Sequence, residues 1–133
     1  MITLTGAVQK TIPCTVSAGY DSSTGQSGVP ILSTTSVMGA PEASVAFKAP
    51  TDLMVQTYDW SMSTQGGAVY EGGANAWLFN SQSAKGSSTV TFTSLTVTMM
   101  NGTMKIYNAH GSVTATLVPA QGAGAGVNMS VTF

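Results

Sequence analysis

The sequence predicts an all-β protein, an antiparallel β-sandwich or jelly-roll barrel, on three observations. The first is composition: 19 Thr, 16 Ser and 15 Gly stand in a chain of 133 residues, and Thr favours strands while Ser and Gly favour the turns between them. The second is period-two alternation of apolar and polar residues through most of the chain, the pattern of strands with one buried face. The third is Asn101-Gly102, set between two such runs, a dipeptide suited to the positive φ angles of a tight hairpin turn. Eight to ten short strands are expected in 133 residues. A chain of this size buries roughly 70% of its unfolded surface, so residues 1–133 are read as one domain.

The elements follow in order. Ile2, Leu4, Gly6 and Val8 share one face of a first strand. Ile12, Cys14, Val16 and Ala18 line a second, which Pro13 marks as an edge or a strand end. Residues 19–28 read as a polar loop, followed by short apolar pieces at residues 29–32, 45–49 and 53–58. Two Gly-Gly pairs, at 66–67 and 72–73, enclose residues 68–71, and residues 39–86 read as loops with short strands, including 76–79.

Closing the hairpin on Asn101-Gly102 places Met100 opposite Thr103, Met99 opposite Met104, Val97 opposite Ile106 and Thr96 opposite Tyr107. The apolar phase switches between Phe92 and Leu95, which predicts a β-bulge near Thr93 and Ser94 or a strand passing between sheets. Val113, Ala115 and Leu117 alternate again, Pro119 and the AQGAGAG stretch end that strand, and Val127, Met129, Val131 and Phe133 form the last.

Composition also narrows function. Only 7% of residues are charged and the formal net charge is −1, against about 25% charged in ordinary globular chains. Four lysines and no arginine are too few to displace phosphate counterions, so no nucleic-acid partner is expected. No apolar run reaches the roughly 18–20 residues of a spanning helix, and no membrane partner is expected. With Met1 as the native start the chain is expected without a secretion signal; with Met1 added to a mature sequence that expectation falls. Cys14, alone, forms no internal disulfide and reads as a core residue.

No catalytic constellation emerges, so a non-enzymatic protein without cofactor or metal is expected. His110 is the sole histidine, read as an exposed turn residue, and Asp21, Glu42, Asp52, Asp59 and Glu71 show no ligand spacing. Sixteen serines without a nucleophile elbow mark no triad. The GAGAG run at 122–126 lacks a following helix and reads as a flexible connector. Trp60, Tyr70 and Trp77 lie among the middle glycines. They either fill the core or, as loop contacts, stack on sugars or pack against a protein partner. Met99, Met100 and Met104 cluster at the hairpin tip, where adaptable side chains suit an interface or a loosely packed core edge. A surface with so few charges gives little repulsion between copies and favours permanent packing.

Two resemblances follow. The opening ITLTGAV, residues 2–8, resembles a phrase of the β-rich tail-fibre and decoration modules of tailed bacteriophages. It implies a virion structural protein such as a capsid decoration or cement protein, a homo-oligomer, trimeric by preference, clamping neighbouring capsid subunits. The alternation of Ile2, Leu4, Gly6 and Val8 leading to IPCTV at 12–16, with the closing GVNMSVTF, is similar to chaperone-usher pilins. That implies a pilus subunit at the bacterial surface, completed by donor-strand exchange; the second pilin cysteine is absent. The expected role is therefore a structural subunit of a virion, made in the host cytoplasm, with a pilus subunit and a carbohydrate-binding module as alternatives. Residues 1–10 are the candidate arm, with Ile2, Leu4 and Val8 given to a neighbour, and Trp60, Tyr70 and Trp77 are the candidate loop contacts.

Overall fold

A computed structural model describes residues 1–60, 65–80 and 86–133 of the chain. Residues 61–64 and 81–85, with Lys85 and parts of the glycine-punctuated middle, lie outside the described residues. The protein is all-β and antiparallel, with no helix among the described residues.

The strands are β1 (Ile2–Gly6), β2 (Lys10–Ile12), β3 (Cys14–Val16), β4 (Ala18–Asp21), β5 (Gln26–Ser33), β6 (Ser36–Val37) and β7 (Ala40–Pro41). They continue as β8 (Ala43–Ala49), β9 (Thr57–Asp59), β10 (Gly66–Gly72), β11 (Asn75–Asn80), β12 (Ser87–Asn101), β13 (Met104–Pro119) and β14 (Val127–Thr132). These 14 strands exceed the eight to ten expected because proline and turn residues interrupt what alternation alone reads as continuous. Pro13 separates β2 from β3, as a residue without an N–H donor should. The polar loop expected over 19–28 is a hairpin instead: β4 pairs with β5, and only residues 22–25 turn. Asp21 makes that turn locally, its carboxylate accepting from the Ser23 N–H at 2.9 Å and the Ser23 hydroxyl at 2.7 Å.

Among the described residues twelve strands form one sheet, and β6 and β7 form a separate two-stranded ribbon. The path β11-β10-β8-β5-β4-β13 closes on itself, because β11 also pairs with the far end of β13 at Trp77↔Pro119 and Leu78↔Val118. The long β13 makes this closure. Its first part, Met104 to Tyr107, lies beside β4, and its second, Ser112 to Leu117, beside β14. β14 carries β1, and β1 carries β2. The long hairpin β12–β13 therefore belongs to both groups of strands that enclose the core.

The change of partner coincides with the phase switch. The β12–β13 register shifts between Phe92 and Ser94, a bulge at Thr93 where alternation predicts one. Gly111 sits opposite Phe92, and a Cβ there would lie 2.1 Å from the Thr91 carbonyl oxygen; only glycine permits this approach.

The core holds alternate residues of nearly every strand: Ile2 and Leu4, Val29 and Ile31, Val45 and Phe47, Val90 and Phe92, Val113 and Leu117, Val127 and Met129. Phe47 is its hub, with ring centroids 5.3 Å from Tyr58, 5.7 Å from Trp60 and 6.2 Å from Phe92. Burying each such side chain contributes about 1.5–3 kcal/mol before the entropy of ordering is counted.

Several expectations are corrected here. Ile2 and Leu4 are buried, and β1 pairs on one side with β14 and on the other with β2 of its own chain. In this structure the segment expected as a donated arm is a strand of its own sheet. Trp60 and Tyr70 are core residues rather than loop contacts, and His110 lies within β13 opposite Ser94 rather than in a turn. The hairpin register also differs. Asn101 pairs with Met104, Met100 with Lys105 and Met99 with Ile106, so the two-residue loop is Gly102-Thr103. Gly102 alone in that loop has positive φ, +57°, the pattern of a type II′ turn with glycine first. A second bulge between Val97 and Met99 then moves the register back by one.

Candidate functional site

The tip of the β12–β13 hairpin is built differently from the rest of the protein. Along β1, β8 and β14 alternation puts the large apolar residues inside; here both faces carry exposed ones. Met99 faces Ile106 and Asn101 faces Met104 on one side, while Val97 faces Tyr107 and Met100 faces Lys105 on the other. Val97, Met99, Met100, Met104 and Ile106 are all exposed, Met100 by 67%. Contiguous apolar exposure of this kind on a folded chain marks an interaction surface.

The backbone along this tip is also open on one side. β9 pairs with β12 only at Thr89, Val90 and Thr91, so from Ser94 to Asn101 the described residues supply β12 with β13 and no second neighbour. An unpaired edge is a template for another strand, and proteins usually guard it with lysine, proline or a charged inward residue. Residues 86–104 contain no charged residue and no proline; the bulge at Thr98 is the only such guard.

The tip is held firmly from its other edge. β13 lies against β4, and the Thr103 carbonyl accepts from the Ser22 N–H at 2.9 Å and the Ser22 hydroxyl at 3.2 Å. Below it, Asp52 accepts from Lys105 Nζ at 2.6 Å and from the Tyr107 hydroxyl, anchoring the 50–56 segment whose Met54 and Val55 are exposed. Burial works to raise the Asp52 pKa, but Lys105, Tyr107 and the Leu53 N–H outweigh it and hold the carboxyl below its usual range. Burial first, and then the Asp52 carboxylate, push Tyr107 well above the ordinary phenol range.

A second ion pair joins Lys10 of β2 to the buried Glu42, which also accepts from the Thr35 hydroxyl at 2.8 Å. The hydrogen bond from Lys10 holds Glu42 below its usual pKa, against burial. These contacts tie the β2 edge to the start of β8. Among the described residues no three of His, Cys, Asp or Glu gather to hold a metal ion.

The sequence-predicted site residues are thus dispersed. Ile2 and Leu4 lie in β1, and Val8 is half-buried in the turn before β2. Trp60 and Tyr70 lie in the core, Tyr70 stacking on Trp77 with centroids 5.6 Å apart. Trp77 opens onto a cleft. Sequence reading singled out Met99, Met100 and Met104 but missed Val97, Ile106 and Met38, the last 99% exposed between β6 and β7. The signal for Val97 was the charge-free run TVTMMNGTM at 96–104, apolar in both phases. No family of known proteins, no curated protein and no solved structure matches the chain.

Proposed function

We propose that the chain is a non-enzymatic structural subunit of a bacteriophage virion, a capsid decoration protein that associates with its own copies and docks on neighbouring capsid subunits. The observation that carries this reading is the β12–β13 tip: a sheet edge fastened to β4 and Asp52, its outer strand β12 free of charge, with exposed apolar residues on both faces. Such a surface loses little on desolvation and gains backbone hydrogen bonds when another strand lies along it. Its apolar core and lack of charge match what close, permanent interfaces bury. The resemblance of residues 2–8 to phage decoration modules supplies the virion setting. The donor-strand pilin reading is less well supported, since β1 already fills its place between β14 and β2.

Light scattering after size exclusion, on the full chain without partner, tests the association. A discrete closed oligomer, a trimer above all, is the expected result. A stable monomer at high concentration, or open-ended polymers, would overturn it. Co-sedimentation with capsids of the phage that encodes the chain, stripped of accessory proteins, tests the docking; no saturable binding would remove the virion role.

A further inference from the structure

A cleft of about 390 Å³ lies where β11, the end of β13 and residues 119–125 meet the turn after β1. Its volume falls within the roughly 300–1,000 Å³ of small-molecule sites. Its wall is the half-buried Trp77 indole, and the amides of Asn75 and Gln121 stand at its rim with small alanines between them. The stretch expected to be a flexible connector is thus one side of a cavity.

The cavity is held in shape by contacts at each corner. Trp77 Nε1 donates to the Ala125 carbonyl at 3.1 Å, and the indole stacks at 26° on the buried Tyr70. The Ala120 N–H donates to the Ala76 carbonyl at 2.9 Å, and the Ala7 N–H to the Gly126 carbonyl at 3.1 Å. The ring is therefore fastened at its edge and stacked on one side, and its N–H is already used. What it offers a ligand is its apolar surface, in a site that needs little ordering on binding.

The lining chemistry narrows the ligand. No charged side chain stands among the described residues that line the cleft, so a phosphate or carboxylate finds no counter-charge. A wholly apolar ligand would leave the two rim amides unused. A molecule with one apolar C–H face and a rim of hydroxyls satisfies both the indole and the amides. We propose that this cleft binds an uncharged pyranose, its C–H face against Trp77 and its hydroxyls bonded to Asn75 and Gln121. The proposal stands apart from the hairpin tip and does not depend on the virion role.

The test is an NMR titration of the full chain with the methyl glycosides of glucose, galactose, mannose and N-acetylglucosamine. The two indole N–H signals are followed, with the core residue Trp60 as internal control. Saturable shifts of Trp77 and residues 120–125 with at least one glycoside, in the millimolar range typical of so small a ligand, are expected while Trp60 stays still. Trp77→Ala should abolish binding; because that change also strips a partner from Tyr70, the exposed Gln121→Ala and Asn75→Ala variants are measured too and should weaken it at least threefold. Absence of shifts with all four sugars, unchanged affinity in both amide variants, or tighter binding of glucose 6-phosphate or glucuronate would overturn the proposal.

Discussion

Tyr107 donates its phenolic hydrogen to Asp52, 55 residues earlier in the chain, and the same carboxylate accepts from Lys105. Lys105 and Tyr107 are two apart on β13 and therefore share a face. One carboxylate holds both, and so fastens the 50–56 segment beneath the hairpin tip. The tip is presented by this polar anchor rather than by apolar packing.

The anchor predicts how stability follows pH. The folded pKa of Asp52 lies below its unfolded value of about 3.9. Its contribution is therefore full above that value and lost as pH falls through the folded pKa. Tyr107 is raised above its unfolded value of about 10, so its contribution is full below pH 10 or so and fades as pH rises. Urea midpoints should be flat near neutrality and fall on both flanks. The stability gap between wild type and Tyr107→Phe should narrow as pH climbs past about 10; a constant gap would show that the hydrogen bond sets no part of the alkaline limb.

Leu4 is 1% exposed and lies between Met129 of β14 and Lys10 of β2. Leu4→Ala should cost about 2–5 kcal/mol, the range for leucines lost from a packed core. Leu4→Asp, which buries an unpaired carboxylate, should unfold the chain. Chemical denaturation monitored by tryptophan fluorescence measures both. A Leu4→Asp protein of wild-type stability that fails only in assembly would return β1 to the role of a donated strand.

These outcomes locate what sequence reading reaches. Period two makes the buried faces of β1, of the second half of β13 and of β14 legible, and the phase break at Thr93 makes the bulge legible, because both are local. Alternation is equally satisfied by a partner in the same chain or in another, so Leu4 carries no mark of which strand lies beside it. Asn101-Gly102 announces a turn, but glycine serves first in a II′ loop as well as second in an I′ loop. The II′ loop found here carries a contact from Ser22 to Thr103, a long-range term that local sequence does not contain. Trp60 and Trp77 look alike among glycines; only the Tyr70↔Trp77 pairing and the hydrogen bond to Ala125 separate a core ring from a cleft wall. The exposed tip was half visible, since its methionines stand out while Val97 and Ile106 pass for ordinary strand residues.

The tip should tolerate charge as a monomer and fail as an assembly. Met99→Asp and Val97→Lys place charges on opposite faces of an exposed edge, where substitutions usually change stability by less than about 0.5 kcal/mol. Thermal unfolding should move little, while the light-scattering mass falls to that of one chain. An unchanged oligomer in both variants would show that association uses another surface.

Met38 offers a sharper separation of stability from docking. It has φ +53° and its neighbour Gly39 φ +86°, with Val37 paired to Ala40 across them, a type I′ arrangement. A left-handed conformation costs an ordinary side chain roughly 1–2 kcal/mol, and asparagine tolerates it far better. Met38 recovers none of this by packing, being 99% exposed. Met38→Asn creates an Asn-Gly turn and should raise stability by about 1 kcal/mol, read as a higher urea midpoint. If the proposed docking also uses this turn, the same variant should bind capsids more weakly, because strain kept at an exposed apolar residue points to a use for it. Greater stability with undiminished binding would show that this turn takes no part in the proposed docking, and no gain in stability would show that the turn relieves its strain in some other way.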